Sequence, residues 1–131
     1  MWKYVQRTGN FYDPDGKKIA KGYAGGDHGL RLDGVNNPDL QSKQSIGPLP
    51  VGLYTHGTAV EGSHLGAFAI PLIPDSNNEM FGRSGFFMHG DRLDGKPLSA
   101  SDGCIIVPKP AREAYYNSPD SQLQVVAEES A

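Results

Sequence analysis

Apolar and polar residues alternate roughly over 2–7, WKYVQR, the period-two pattern of a strand with one face inside. Asp13-Pro14-Asp15-Gly16 follows as a turn signal: Asp can cap, Pro presets φ and Gly admits positive φ. Residues 17–21 are then expected to return as the second arm of a hairpin. From 22 to 50 no period holds and glycine, proline and asparagine recur, so the segment reads mostly as loop. A loop of that length in a compact domain is commonly functional. VGLYTH over 51–56 and HLGAFAIPLI over 64–73 read as two strands of a hairpin, with Pro71 and Pro74 marking the end of the second or an edge position. GFFMH over 85–89 reads as a short strand ending at a histidine, and CIIV over 104–107 as a short buried strand. One helix is expected between Pro108 and Asn117. Pro110 suits an early helical position, the formers Ala111, Arg112, Glu113 and Ala114 follow, and Ser118-Pro119-Asp120 stops it. One of Tyr115 and Tyr116 should face inward. QLQVVA over 122–127 closes the chain as a strand with Leu123, Val125 and Ala127 on one face. The pattern predicts a mainly β, single compact domain over 1–131, with one short helix and long loops.

Composition adjusts this picture by exclusion. The 131 residues suffice for a real core, and Gly 17 and Pro 10 agree with many tight turns. Net charge is −3 with both signs interspersed. The densest basic stretch is Lys17, Lys18 and Lys21 beside a turn, which is no nucleic-acid surface. A single cysteine rules out an intrachain disulfide and a thiolate-rich zinc site. His28, His56 and His64 have no metal-motif spacing and read as loop or surface histidines, so no metal and no cofactor is expected. No run approaches the roughly 18 apolar residues of a spanning helix, so no membrane insertion is expected. The start, Met1-Trp2-Lys3-Tyr4, lacks the apolar region of a signal peptide.

Two segments carry candidate chemistry. Phe86-Phe87-Met88-His89-Gly90 and Ser99-Ala100-Ser101-Asp102-Gly103-Cys104-Ile105-Ile106 each join an apolar strand to a glycine-containing loop, with one reactive side chain at the junction. A cysteine nucleophile needs a thiolate, and an imidazole can take the proton and then stabilise the anion. The amides of Gly103 and Cys104 are candidate oxyanion donors. Asp91, Asp94, Ser101 or a backbone carbonyl could orient His89. Read alone, a lone cysteine in such an apolar run is more often a buried core residue, and His89 could equally be a satisfied core histidine.

These segments resemble the L,D-transpeptidase superfamily, whose hallmark is His-Gly, then after a loop Ser or Thr, one residue, Gly and the catalytic Cys. Here they are His89-Gly90 and Ser101-Asp102-Gly103-Cys104. Over nearly its whole length the chain is most similar to a subgroup that includes the L,D-transpeptidase effectors delivered by type VI secretion into rival bacteria. The shared blocks are Gly22-Tyr23-Ala24-Gly25-Gly26, then Asn36 and Pro38 with Gln41 or Gln44. Gly47-Pro48-Leu49-Pro50-Val51-Gly52-Leu53-Tyr54, Gly82-Arg83-Ser84-Gly85-Phe86 and the two motifs follow. Many members of the wider superfamily have His where this chain has Asp102, and Arg where it has Ile106.

The resemblance implies an L,D-transpeptidase-like β-sandwich or barrel and chemistry on the peptide stem of peptidoglycan. Cys104 would be nucleophile, His89 base and then acid, Gly103 part of the oxyanion hole, and Ser101 a support of the loop. Arg83, or else Arg92, would hold a substrate carboxylate. Gly90, Asp102 and Tyr23 would line the substrate cleft, which the 22–50 segment would cover. The implied setting is the periplasm of a target bacterium, reached by a non-classical route, with a cognate immunity protein in the producer. A noncatalytic wall-binding module and a different Cys–His cell-wall amidase are the alternatives.

Overall fold

A computed structural model describes residues 1–62, 65–92 and 96–129. The described strands are β1 (Trp2–Val5), β2 (Asn10–Tyr12), β3 (Lys18–Lys21), β4 (Tyr23–Ala24), β5 (Gly52–His56), β6 (Ile70–Pro74), β7 (Phe87–His89), β8 (Ile105–Ile106) and β9 (Leu123–Val126). They form one sheet in the order β3-β2-β1-β9-β5-β6-β7-β8-β4. The fold is mainly β, a nearly closed barrel with one helix, α1 (Lys109–Tyr116), and connecting loops.

The two ends of that order are adjacent in sequence, because only Gly22 separates β3 from β4. Gly22 donates its amide to the Gly9 carbonyl, while a Cβ on it would lie 2.0 Å from the Ile106 carbonyl oxygen. The seam therefore closes through backbone contact that only glycine permits.

The start of the chain is a three-stranded meander rather than one hairpin. Gly9, at φ 77, lets the chain reverse after β1, with its amide bonded to the Val5 carbonyl. Phe11 and Tyr12 then form an arm of their own that pairs with both β1 and β3. β1 also pairs in parallel with β9, which joins the two ends of the chain.

β6 begins later than its apolar run suggests, at Ile70, after an isolated bridge between Val60 and Ala69. His64, placed in that run from sequence, lies outside the described residues. β6 is interior despite Pro71, because its first half pairs with β7 and its second with β5. Pro71 falls opposite Gly57 and accepts the Gly57 amide. It cannot return a bond to the Gly57 carbonyl, and the Nδ1 of His56 sits 2.9 Å from that oxygen instead.

In the core Trp2 stacks on Phe11 and both meet the edge of Tyr115, with Tyr4, Tyr54, Leu123 and Val125 packed around them. α1 starts as its sequence indicates, with Pro110 in its first turn, and buries Ala111, Arg112 and Tyr115 while Tyr116 is half-buried. The 22–50 segment holds β4 and three short 3-10 turns, at Asp27–Gly29, Leu32–Gly34 and Pro38–Leu40. Among the described residues no helix is long and apolar enough to cross a membrane.

Candidate active site on the β7–β8 strands

β7 and β8 run parallel, with Met88 beside Ile105 and His89 beside Ile106. Strand alternation sorts their side chains onto two faces. Met88 and Ile105 enter the main core, while Cys104 and Ile106 cluster with Tyr23, Ala100 and Phe87 on the other face. His89, two residues after Phe87, shares that second face. The register thus sets the cysteine, the residue just before β8, diagonal to the histidine that ends β7. Both are buried, Cys104 at 5% and His89 at 3% exposure.

Each reactive group is held by backbone. The Phe87 amide donates to Cys104 Sγ at 3.3 Å. His89 Nδ1 lies 2.9 Å from the Gly90 carbonyl oxygen. A carbonyl only accepts, so in the neutral ring Nδ1 carries the proton and Nε2 is the basic nitrogen. Of the orienting groups left open by sequence, the backbone carbonyl is the one brought to Nδ1, while Asp94 lies outside the described residues. Burial pushes the Cys104 thiol up to about 12; the Phe87 amide and the Arg83 charge oppose that rise, and the Asp102 carboxylate adds to it. The free protein at neutral pH therefore holds a protonated thiol until a base takes the proton.

Ser101 is the keystone of the cysteine loop. Its hydroxyl donates to the Cys104 carbonyl at 2.6 Å and accepts the amides of Gly25 and Gly103 at 2.9 and 3.0 Å. That is the full capacity of a hydroxyl. The Gly103 amide, expected in the oxyanion hole, is thus engaged by Ser101 in this structure. Gly103 itself, at φ 146, leaves room for neighbours: a Cβ there would lie 2.7 Å from Arg83 Nη2 and from the Phe86 ring.

The remaining sequence candidates serve the same scaffold. Arg83 is 4% exposed. Its Nη1 donates to the Gln41 and Pro48 carbonyls and its Nη2 to those of Gly47 and Asp102. That geometry directs all four Nη–H donors to backbone rather than to a substrate carboxylate. Tyr23 donates its hydroxyl to Asp91 Oδ1 at 2.8 Å and accepts the Ala100 amide at 3.0 Å, tying the histidine segment to the cysteine segment. Asp91 Oδ1 also accepts the amide of Arg92, whose side chain is exposed. The half-exposed Asp102 carboxylate lies 3.7 Å from His28 Nε2. The 22–50 segment, expected to cover a substrate cleft, bonds to the cysteine loop, with the His28 amide donating to the Ser101 carbonyl and the Leu49 amide to the Gly103 carbonyl. Among the described residues no three His, Cys, Asp or Glu side chains gather as a metal-holding group.

Sequence reading missed Arg112, taken there as a helix former. It is buried, donates to the carbonyls of Phe68, Val107 and Ala67, and packs on Gly90, where a Cβ would lie 3.1 Å from Nη1. One signal existed: a cation in the opening turn of a helix opposes the macrodipole, so a task other than helix stability holds it there.

No curated protein and no solved structure matches the chain significantly. Residues 19–128, which include both reactive side chains and every segment that braces them, match the Tlde1 domain family. The chain belongs to the Tlde1 domain family, and its general role is that of an L,D-transpeptidase-family protein.

Proposed function

We propose that this chain is a cysteine-dependent L,D-carboxypeptidase and L,D-transpeptidase acting on peptidoglycan tetrapeptide stems. The observation that carries the reading is that His89, at the end of β7, and Cys104, just before β8, fall on one face of this parallel pair by strand alternation, with Sγ facing an amide and Nδ1 tied to a carbonyl. In the proposed reaction His89 Nε2 takes the thiol proton as Sγ attacks the carbonyl of the third stem residue. The tetrahedral intermediate expels terminal D-Ala, whose amine receives the proton from the imidazolium, and a thioester remains. Water then releases the tripeptide, or a free D-amino acid takes its place through its amine. Ser101, Arg83, Tyr23 and Arg112 are positioning residues, and Gly90 and Gly103 give the backbone its close approach. The Cys104 amide is the candidate oxyanion donor.

The biological reading is an antibacterial effector delivered by a non-classical route into the periplasm of a target bacterium. There, loss of terminal D-Ala removes crosslinking donors. A cognate immunity protein in the producer belongs to that reading. Its support is the family together with the ordered blocks shared with secreted effectors.

The test is mass spectrometry of disaccharide-tetrapeptide after incubation with the protein and with Cys104→Ala, with and without an added D-amino acid. D-Ala loss or exchange in the wild type alone is the expected result. One observation favours a second reading, a noncatalytic wall binder: the deeply buried thiol with its raised pKa is also what an inert core cysteine shows. Unchanged peptide with retained binding to wall fragments would select that reading.

A further inference from the structure

A cavity of about 240 Å³ opens beside β5, the end of β6 and the residue before β9. Tyr54, Leu72 and Leu123 enter the core, so strand alternation turns Leu53, Thr55 and Ile73 to the other face of the sheet. Leu53 and Ile73, with Pro74, give the cavity an apolar side, and Ile73 is 51% exposed there. The rest of the lining is polar, with Thr55, Asp75, Ser76 and Gln122. Among the described residues no hydrogen bond engages the side chains of Thr55, Ser76 or Gln122, and Asp75 commits only Oδ2, to the Asn77 amide. The loop wall is bolted to β5. The Leu53 carbonyl accepts the Asp75 amide and the Asn78 side-chain amide, and the Leu53 amide donates to Asn78 Oδ1. A ligand therefore meets a formed site with free polar groups.

Its chemistry selects by charge first. No Lys, Arg or His is among the described lining residues, so an anion has no partner there and meets Asp75. One exposed carboxylate is also a weak hold for a cation. Two hydroxyls and an amide can each donate and accept, and the carboxylate accepts. A pyranose fits that set: it is neutral, its C–H groups cover one side, and its hydroxyls ring the edge. The volume equals that of about eight waters, which is room for one ring.

We infer that this cavity is a subsite for one neutral pyranose ring of a glycan. It shares a face of the sheet with the thiol. Ile73 stands two residues from Pro71, Pro71 pairs with Phe87, and the Phe87 amide reaches Cys104 Sγ. Two residues along β6 and two strand spacings set Ile73 about 12 Å from Cys104. Three extended residues of a peptide stem reach about 10 Å. One molecule can then place its sugar here and its third-residue carbonyl at the thiol, a role that rests on the peptidoglycan reading.

The experiment is a titration of the full chain with di-N-acetylchitobiose, a neutral disaccharide that carries no peptide, followed by amide shifts in NMR spectra. Saturable shifts are expected at Thr55, Ile73, Ser76 and Gln122, with His89 and Cys104 unmoved. Ser76→Ala combined with Gln122→Ala should weaken binding at least about tenfold. Both side chains are exposed, so the fold should survive, which circular dichroism checks. Absence of saturable shifts at those four residues overturns the inference. So do shifts that survive the double substitution, or equal shifts with sorbitol, an open-chain polyol. Sugar binding here without D-Ala release from a disaccharide-tetrapeptide would sink the proposed function and leave the subsite standing. Release of D-Ala without sugar binding here would do the reverse.

Discussion

On the β1–β9–β5 side of the barrel, Trp2 lies 5.2 Å from Phe11, and Tyr115 meets both rings edge-on, all three buried in regular sheet and helix. Around Cys104 the same compactness comes from different contacts. Ser101, Arg83 and Tyr23 bind backbone groups of segments far apart in sequence, most of them irregular. Apolar packing tolerates small shifts, because it depends on area and volume. Polar bracing of irregular backbone does not, because each buried donor or acceptor left alone carries its own penalty. The first region should therefore set whether the chain folds, and the second where the thiol and imidazole stand.

The largest lesion that separates these roles is Tyr115→Ala. It opens a cavity among three aromatics and removes the bond from the Tyr115 hydroxyl to the Ser121 carbonyl. A loss of about 3–5 kcal/mol in urea unfolding is expected, with turnover per folded molecule unchanged. A fall in that turnover would break the comparison. Ser101→Ala should do the converse. It strands the Gly25 and Gly103 amides and the Cys104 carbonyl inside the protein. A loss of about 2–3 kcal/mol is expected, along with D-Ala release about a hundredfold slower, since small displacements of reacting groups are that costly.

The two regions also differ in how far a sequence discloses them. Residues 122–127 and the Pro110 helix are readable because period and punctuation are local signals. The motifs around His89 and Cys104 are readable through resemblance, and their strand-to-loop placement is plain from composition. The bracing is not. Nothing in the order of residues says that Arg83 meets four carbonyls or that Ser101 meets Gly25, since those partners are chosen by tertiary closure. Arg83 read as a substrate cation for the same reason: a guanidinium solvated by carbonyls and one awaiting a carboxylate look alike in a sequence. The Phe11–Tyr12 strand was hidden by the turn signal that follows it, and Pro71 misdirected because His56 supplies the contact its ring cannot.

A change of pH probes both regions at once. Burial raises the phenol values of Tyr4 and Tyr115 in the core, as it raises the Cys104 thiol from 9.0 to about 12. For such acids the folded chain keeps a proton that the unfolded chain loses. Stability is therefore full below the ordinary value and falls as pH rises above it, by about 1.4 kcal/mol per unit for each group. The thiol's contribution begins near 9.0, before the phenols join, so Cys104→Ala should flatten the urea-stability profile in that first unit. Iodoacetamide sharpens this further. Alkylation of Cys104 should climb about tenfold per pH unit through the neutral range. A rate already on a plateau near neutrality would mean that His89 holds the proton in the free protein.

The smallest expected effect isolates burial as the variable. Glu129 takes as many hydrogen bonds as Ser101 makes, from the Thr8 hydroxyl, the Asn10 amide and the Tyr12 hydroxyl, and it ties the end of the described chain to the first hairpin. Yet it is exposed, and water can replace every partner. The Thr8 hydroxyl, then the other two donors, hold its carboxyl below the usual 4.5, so the stabilisation is present above that value and fades as pH falls through the lowered one. Glu129→Gln should cost under about 1 kcal/mol at neutral pH and remove that acid-side slope. Turnover should stay as it was. If Glu129→Gln instead matched Ser101→Ala in stability, the number of hydrogen bonds rather than their burial would govern this fold, and the division between a packed region and a braced one would lose its physical basis.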